Sequence, residues 1–138
     1  MTKIWEFEDL EKRETVYKVI LKFANSLRDD TNGVIEGIVT ETTTENNPEI
    51  VYGFYLTVPK LRNYSYRLFE FRQSSIVEPY TVYATLYAKD PINNQFFESN
   101  TVPDFERKLL GWIKNPITKL VMQSIKVHMD IMDEYQKD

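Results

Sequence analysis

The sequence lacks cysteine altogether and has a single histidine and four glycines among its 138 residues. Without cysteine the chain has no disulfide, zinc–thiolate site or thiol nucleophile, and a reducing compartment such as the cytoplasm is expected. The lone histidine, His128, leaves no second imidazole for a zinc site. The glycines are too scattered to form a phosphate-binding loop. We therefore expect neither a metal nor a cofactor.

Long hydrophobic runs are also missing. The longest apolar stretch is IVYGFYL at residues 50–56, far short of the roughly 20 residues that a membrane helix requires. The first ten residues, MTKIWEFEDL, place acidic side chains where a secretory signal needs an apolar run. We therefore expect a soluble, cytoplasmic protein without a membrane partner.

The composition is that of one globular domain covering residues 1–138, with 42% hydrophobic and 28% charged residues. The net charge is −4, so the chain is acidic overall. Residues 51–89 are the exception, with 5 basic and 2 acidic side chains. Because phosphate binding favours basic domains, a nucleic-acid partner is disfavoured and only this middle segment could contact one.

An amphipathic pattern in the N-terminal third predicts a helix from about Asp9 to Arg28. Its apolar positions fall on one side: Leu10, Tyr17, Ile20, Leu21, Ala24 and Leu27. Asp9 is a suitable N-cap, because its carboxylate can accept hydrogen bonds from the free amides of the first turn. Gly33 permits the left-handed backbone that ends many helices.

The segment from Val34 to Lys89 is rich in branched and aromatic residues, which favour strands. Short turns separate four such stretches: VIEGIVTETTT, IVYGFYLTV, YSYRLFEFR and YTVYATLYA. Because these turns are too short for a crossover helix, neighbouring strands should run antiparallel. The stretch QFFE adds a candidate fifth strand.

Two helices are predicted after the strands. Thr101 and Asp104 have the spacing of a capping box at the start of the first. That helix ends at Asn115–Pro116, where Asn115 can cap the second helix and proline suits its first position. The fold class is therefore α+β: a single antiparallel meander sheet of four to five strands, with one N-terminal helix and two C-terminal helices.

The last helix is unusually apolar around its circumference. At about 100° per residue its apolar side chains span roughly 220°, more than one neighbour requires. One side should face the sheet, and the other the preceding helix, a second subunit or a partner. Met122 and Met129 belong to this arc and are candidates for an adaptable contact surface, although core packing also explains them.

His128 falls near the middle of that arc, one turn after Ser124. One interpretation is a serine activated by a histidine base. The interpretation that we favour is a buried imidazole satisfied by a hydroxyl or carbonyl group, since a packed helix offers no substrate access. Glu36 and Glu70, within predicted strands, are interpreted as part of a solvated strand face rather than as catalytic acids.

Seven of the nine tyrosines lie between Tyr52 and Tyr87. Strand alternation assigns five of them to one sheet face, with arginines nearby. The candidate surface comprises Tyr55, Tyr64, Tyr66, Tyr83, Tyr87, Arg62 and Arg67. Tyrosine is favoured at interfaces because its ring is apolar and its hydroxyl polar. The alternative is that a helix covers this face as well.

These patterns favour a non-enzymatic protein–protein interaction module. It would bind a protein partner, or itself as a homodimer, through the tyrosine-rich sheet face or the last helix. The alternative is a small-ligand-binding protein or enzyme with a pocket between sheet and helices, because pockets are largely apolar and aromatic. Nucleic-acid binding through the basic middle segment is a weaker third hypothesis.

Overall fold

A computed structural model of the protein describes residues 14–44, 47–61 and 64–135, with side chains for residues 14–43, 48–61 and 64–132. The described chain forms three α-helices, one 3-10 helix and five strands. In chain order these are α1 (Val16–Asp30), β1 (Glu36–Thr44), β2 (Asn47–Thr57), β3 (Ser65–Gln73), β4 (Val82–Leu86), the 3-10 helix (Pro91–Asn93), β5 (Gln95–Ser99), α2 (Val102–Ile113) and α3 (Pro116–Tyr135).

The five strands form one sheet in the order β1-β2-β3-β4-β5, and every neighbouring pair is antiparallel. This meander confirms the predicted α+β class and the fifth strand. It follows from short connections, because a chain that turns within a few residues places its next strand beside the previous one.

All three helices pack on the same side of the sheet, which we call the inner face. The ring of Phe105 in α2 meets Phe71 edge-on at 5.2 Å between centroids. Trp112 of the same helix stacks on Phe69 at 5.7 Å. The inner face is almost sealed from solvent along the three central strands: Tyr52, Phe54, Leu56, Phe69, Phe71, Val82, Ala84 and Leu86. The opposite side, the outer face, is covered by none of the described helices.

The contact between α1 and β1 is very close, and Gly37 makes it so. A Cβ atom at Gly37 would lie 3.2 Å from the Cα of Ala24 and 2.8 Å from the ring of Phe54. Small residues on both elements therefore let the helix backbone approach the strand directly. Val19 and Ile20 of α1 are buried as a consequence.

The predicted start of α1 was wrong. Glu14 and Thr15 are not helical, and the helix begins at Val16, where the Thr15 hydroxyl accepts a hydrogen bond from the Lys18 amide at 3.2 Å. The predicted cap, Asp9, lies outside the described residues. At the other end, Gly33 adopts a φ of 79° and its amide donates to the Arg28 carbonyl, the conformation expected of a terminating glycine.

The Thr101–Asp104 motif acts as half of a capping box. The Thr101 hydroxyl accepts from the Asp104 amide at 3.3 Å, but the Asp104 carboxylate accepts from the Ser99 hydroxyl at 2.8 Å and pairs with Arg107 and Lys108. Hydrogen bonds from Arg107, Ser99 and Lys108 hold the pKa of Asp104 well below its usual range. Asp104 thereby ties the start of α2 to the end of β5.

A β-bulge interrupts β3. Phe54 pairs with Phe69 and the next residue, Tyr55, pairs with Arg67, so Leu68 is left without a partner across the strand. Leu68 and Phe69 are both buried. An extra residue of this kind shifts the alternation of the strand by one, so Tyr66 lies opposite Leu56 on the inner face.

Candidate interaction surfaces

Helix α3 carries two apolar stripes, each with alternating spacings of three and four residues. The inner stripe packs against the body of the protein: Thr118, Met122, Ile125, Met129 and Met132. The outer stripe is exposed to solvent: Leu120, Ser124, Val127 and Ile131. Two stripes explain the wide apolar arc of this helix, since each alone is the seam that a helix needs for one neighbour.

The outer stripe is open to solvent. The exposed fractions are 64% for Leu120, 58% for Val127 and 46% for Ile131. Contiguous apolar side chains at this exposure mark contact surfaces more often than isolated ones do. The predicted contact residues lie elsewhere on the same helix: Met129 is buried and Met122 is half-buried in the inner stripe. The solvent-exposed apolar surface of α3 is therefore the outer stripe.

The predicted burial of His128 was wrong, because its side chain is exposed. In the alternative interpretation His128 activated Ser124, but the Ser124 hydroxyl donates to the Leu120 carbonyl at 2.8 Å. The reason is geometric. The body packs against one flank of the apolar arc, centred on Ile125 and Met129, and not against its middle where His128 lies.

A groove runs between the first half of α3 and the edge of the inner face, with a volume of about 1030 Å³. Tyr64 and Tyr66 form one wall, and Ile117, Leu120 and Val121 form the other. The Tyr66 hydroxyl donates to the Tyr87 carbonyl at 2.9 Å, which fixes its ring. Strict alternation had assigned both tyrosines to the outer face; the bulge at Leu68 turns them towards α3 instead.

The outer face of the sheet retains three of the five predicted tyrosines: Tyr55, Tyr83 and Tyr87. Arg67 belongs with them, because its guanidinium lies 4.1 Å from the centroid of the Tyr87 ring, a cation–π arrangement. Tyr55 lies across Gly53, whose absent side chain leaves room for the ring. Tyr83 is 47% exposed. Arg62 lies outside the described residues.

A polar network fixes the centre of this face. The Tyr87 hydroxyl donates a short hydrogen bond to the Glu70 carboxylate. The Arg72 Nε atom lies 3.4 Å from Glu70 Oε1, and its Nη1 atom lies 3.2 Å from Glu49 Oε1. Burial, followed by the bond to Glu70, raises the pKa of Tyr87 to about 12. Glu70 is therefore engaged by its neighbours. Glu36 lies at the start of β1, opposite Thr57 on the same face.

Within the described ranges, no group of three or more histidine, cysteine, aspartate or glutamate side chains could hold a metal ion. Searched over the same residues, the helices include none with the length and apolarity needed to cross a membrane. Comparison with protein-family models, with curated proteins and with solved structures gave no match.

Proposed function

We propose that the protein is a non-enzymatic interaction module that associates with a second copy of itself through the outer stripe of α3. The observation that carries the proposal is the exposure of Leu120, Val127 and Ile131 on a helix whose opposite side is already packed. Their three–four spacing suits a helix as the partner, since side chains at these intervals interlock with those of a facing helix.

The outer stripe is self-complementary in the antiparallel orientation. A twofold axis passing midway between Ser124 and Val127 sets Leu120 of one copy against Ile131 of the other, and Ser124 against Val127. One layer then pairs two branched side chains of equal size, and the other pairs a small side chain with a β-branched one. Such a contact is closed, because the same patch is used on both copies.

The flanks of the stripe are compatible with this pairing. Gln123 and Asp130 border it on one side, and Val121 and His128 on the other. In the antiparallel arrangement Gln123 faces Asp130 of the partner copy, a neutral–acidic pair that can form a hydrogen bond. Among the flanking side chains that the structure describes, no two like charges oppose each other, so electrostatics do not disfavour the dimer.

The contact is limited to one helical seam, and interfaces below about 1,200 Å² are usually weak or transient. We therefore expect a reversible dimer whose population rises with protein concentration. Light scattering coupled to size-exclusion chromatography, repeated across a wide concentration range, measures this directly. The expected result is a mass that moves from one chain towards two as concentration rises.

Leu120→Glu places a charge in the seam, opposite Ile131 of the partner copy, and should hold the protein at the monomer mass at every concentration. Leu110→Glu is the matched control, because Leu110 is an exposed leucine on α2 outside the stripe. It should dimerise as the wild type does. A wild-type protein that stays monomeric at all concentrations, or a Leu120→Glu variant that still dimerises, contradicts the proposal.

The outer face of the sheet is a second candidate contact surface. Arginine and tyrosine are enriched among the residues that dominate binding energy at interfaces, and this face combines Tyr83, Tyr87 and Arg67. The same assay separates the two surfaces. Tyr83→Glu should leave the dimer intact; dimerisation that is lost in Tyr83→Glu and kept in Leu120→Glu would move the contact to the sheet.

A further inference from the structure

A small apolar cavity lies between the inner face of the sheet and the helices, separate from both candidate contact surfaces. Its volume is about 260 Å³. Four side chains of the sheet form its floor: Phe54, Leu56, Leu68 and Phe69. Phe23 and Leu27 of α1 and Met122 of α3 form its walls. An apolar cavity of about 150 Å³ is large enough for benzene, so this one accommodates a ring with a short chain.

The polar groups that line the interior of the cavity already form hydrogen bonds within the protein, so a ligand has no polar group to bind there. The Thr31 hydroxyl donates to the Leu27 carbonyl at 2.9 Å and accepts from the Ile35 amide at 3.1 Å. The Thr118 hydroxyl donates to the Trp112 carbonyl at 2.7 Å. A polar group buried here would lose its hydrogen bonds to water without replacement. The part of a ligand inside the cavity must therefore be apolar.

The rim of the cavity is negative. Asp30 lies there, exposed, and the Ser26 hydroxyl lies 3.5 Å from its carboxylate. Asp30 is also the last residue of α1, where the helix dipole adds partial negative charge and an aspartate is unfavourable. Asp29 precedes it. A cation at this rim would gain from both the carboxylate and the helix end.

We propose that this cavity binds a small amphipathic primary amine, with its apolar body between sheet and helices and its ammonium group beside Asp30. Two independent features support this site: an apolar cavity whose polar groups already have hydrogen-bond partners, and a carboxylate at a helix C-terminus on the rim of that cavity. It does not depend on dimerisation, because the outer stripe of α3 faces away from the cavity.

Two probes with the same ring and four methylene groups but opposite charges test the proposal: 4-phenylbutylamine and 5-phenylvalerate. Binding is measured by calorimetry and by the shift in unfolding temperature, since a ligand that binds the folded state raises apparent stability. We expect the amine to bind and the carboxylate to bind at least about fivefold more weakly, the preference that an exposed ion pair near 1 kcal/mol gives. Equal affinity, or no binding of the amine, overturns the proposal.

Two variants with matched controls locate the site. Met122→Phe fills the cavity from α3 and should abolish amine binding, whereas Met132→Phe, also half-buried on the inner stripe, should leave it unchanged. Asp30→Asn should remove the preference for the amine, whereas Asp29→Asn, one residue away and not lining the cavity, should keep most of it. Circular dichroism verifies that each variant is folded.

Undiminished amine binding in folded Met122→Phe would show that the ligand binds elsewhere. A preference for the amine that survives Asp30→Asn would show that the ammonium group does not meet this carboxylate. Either result overturns the proposal. The mass measurements on Leu120→Glu are unaffected by these outcomes, so failure of the cavity site and failure of the dimer remain distinguishable.

Discussion

The two faces of the sheet differ sharply although the same five strands build both. Phe71 and Arg72 are neighbours in β3, yet Phe71 is fully buried on the inner face and Arg72 is exposed on the outer face. The inner face consists of interlocking rings and aliphatic side chains. The outer face consists of tyrosines, arginines and carboxylates held by hydrogen bonds. Because side chains alternate along a strand, a residue of the core and a residue of the solvent-exposed surface can be direct neighbours in the chain.

The largest expected difference between the faces is in the cost of removing a ring. Phe71→Ala should lower the free energy of unfolding by about 3–5 kcal/mol, because it leaves a cavity among Phe69, Phe105 and their neighbours. Tyr83→Ala on the outer face should change it by only about 0.5 kcal/mol. Chemical denaturation measures both. Similar losses at the two sites would mean that the outer face is also packed.

The two strand glycines provide a second test. Gly37→Ala forces a methyl group against the α1 backbone and should cost about 1–3 kcal/mol through overpacking. Gly53→Ala, on the outer face, meets the side chains of Thr40 and Tyr55, which can move into solvent. It should cost less than about 1 kcal/mol, because alanine also relieves the entropic penalty of glycine in a strand. A larger loss at Gly53 would contradict the assigned difference in rigidity.

The polar network on the outer face should contribute a smaller amount. Tyr87→Phe keeps the ring under Arg67 and removes only the hydroxyl that donates to Glu70. The expected loss is about 1 kcal/mol, the usual net worth of one hydrogen bond. Tyr83→Phe is the control and should have no measurable effect. Denaturation of the two variants side by side tests whether Glu70 and Tyr87 stabilise the sheet.

We expect the two faces of the sheet to differ least in their response to alkaline pH, because a tyrosine on each face has a similarly raised pKa. Burial, reinforced by Glu41, raises the pKa of Tyr52 on the inner face to about 12, as burial and Glu70 do for Tyr87. Because the folded state favours the protonated phenol, the stabilisation is complete below about pH 10, the pKa of an unperturbed tyrosine, and is lost as pH rises towards 12.

Absorbance titration of the phenolate follows these two groups. The wild type should show three late-titrating tyrosines, because burial also raises the pKa of Tyr66, and Tyr52→Phe and Tyr87→Phe should each remove one. A protein whose tyrosines all titrate near their ordinary pKa would contradict the burial assigned to both rings.

Much of the fold could be predicted from the sequence, because the spacing of apolar residues in a segment matches the buried face of the helix or strand that it forms. Branched and aromatic stretches separated by short turns predicted the meander, and Asn115 before Pro116 predicted the cap of α3, where the Asn115 side chain accepts from the Ile117 amide at 2.9 Å. These features are local, so the residues that determine them are adjacent in the chain. The start of α1 was missed because Thr15, also a good cap, lies inside the predicted helix and begins the observed one.

The surface assignments were less predictable because they depend on distant contacts. The wheel of α3 correctly indicates an excess of apolar circumference, but it cannot tell which flank meets the body, so His128 was placed inside. The bulge in β3 did leave a signal: Leu68 and Phe69 are consecutive large apolar residues in a strand that otherwise alternates. Taken as a bulge, that pair would have moved Tyr66 to the inner face.

The unpaired Leu68 has a consequence for the shape of the molecule. Because the bulge adds one residue to β3, one end of this strand contributes side chains to the hydrophobic core. The other end contributes the aromatic side chains that line the groove beside α3. If Leu68 paired directly with Tyr55 instead of bulging, plain alternation would turn Tyr64 and Tyr66 to the outer face, away from the terminal helix. The groove beside α3 therefore depends on the bulge in β3, which sets Tyr64 and Tyr66 towards the helix.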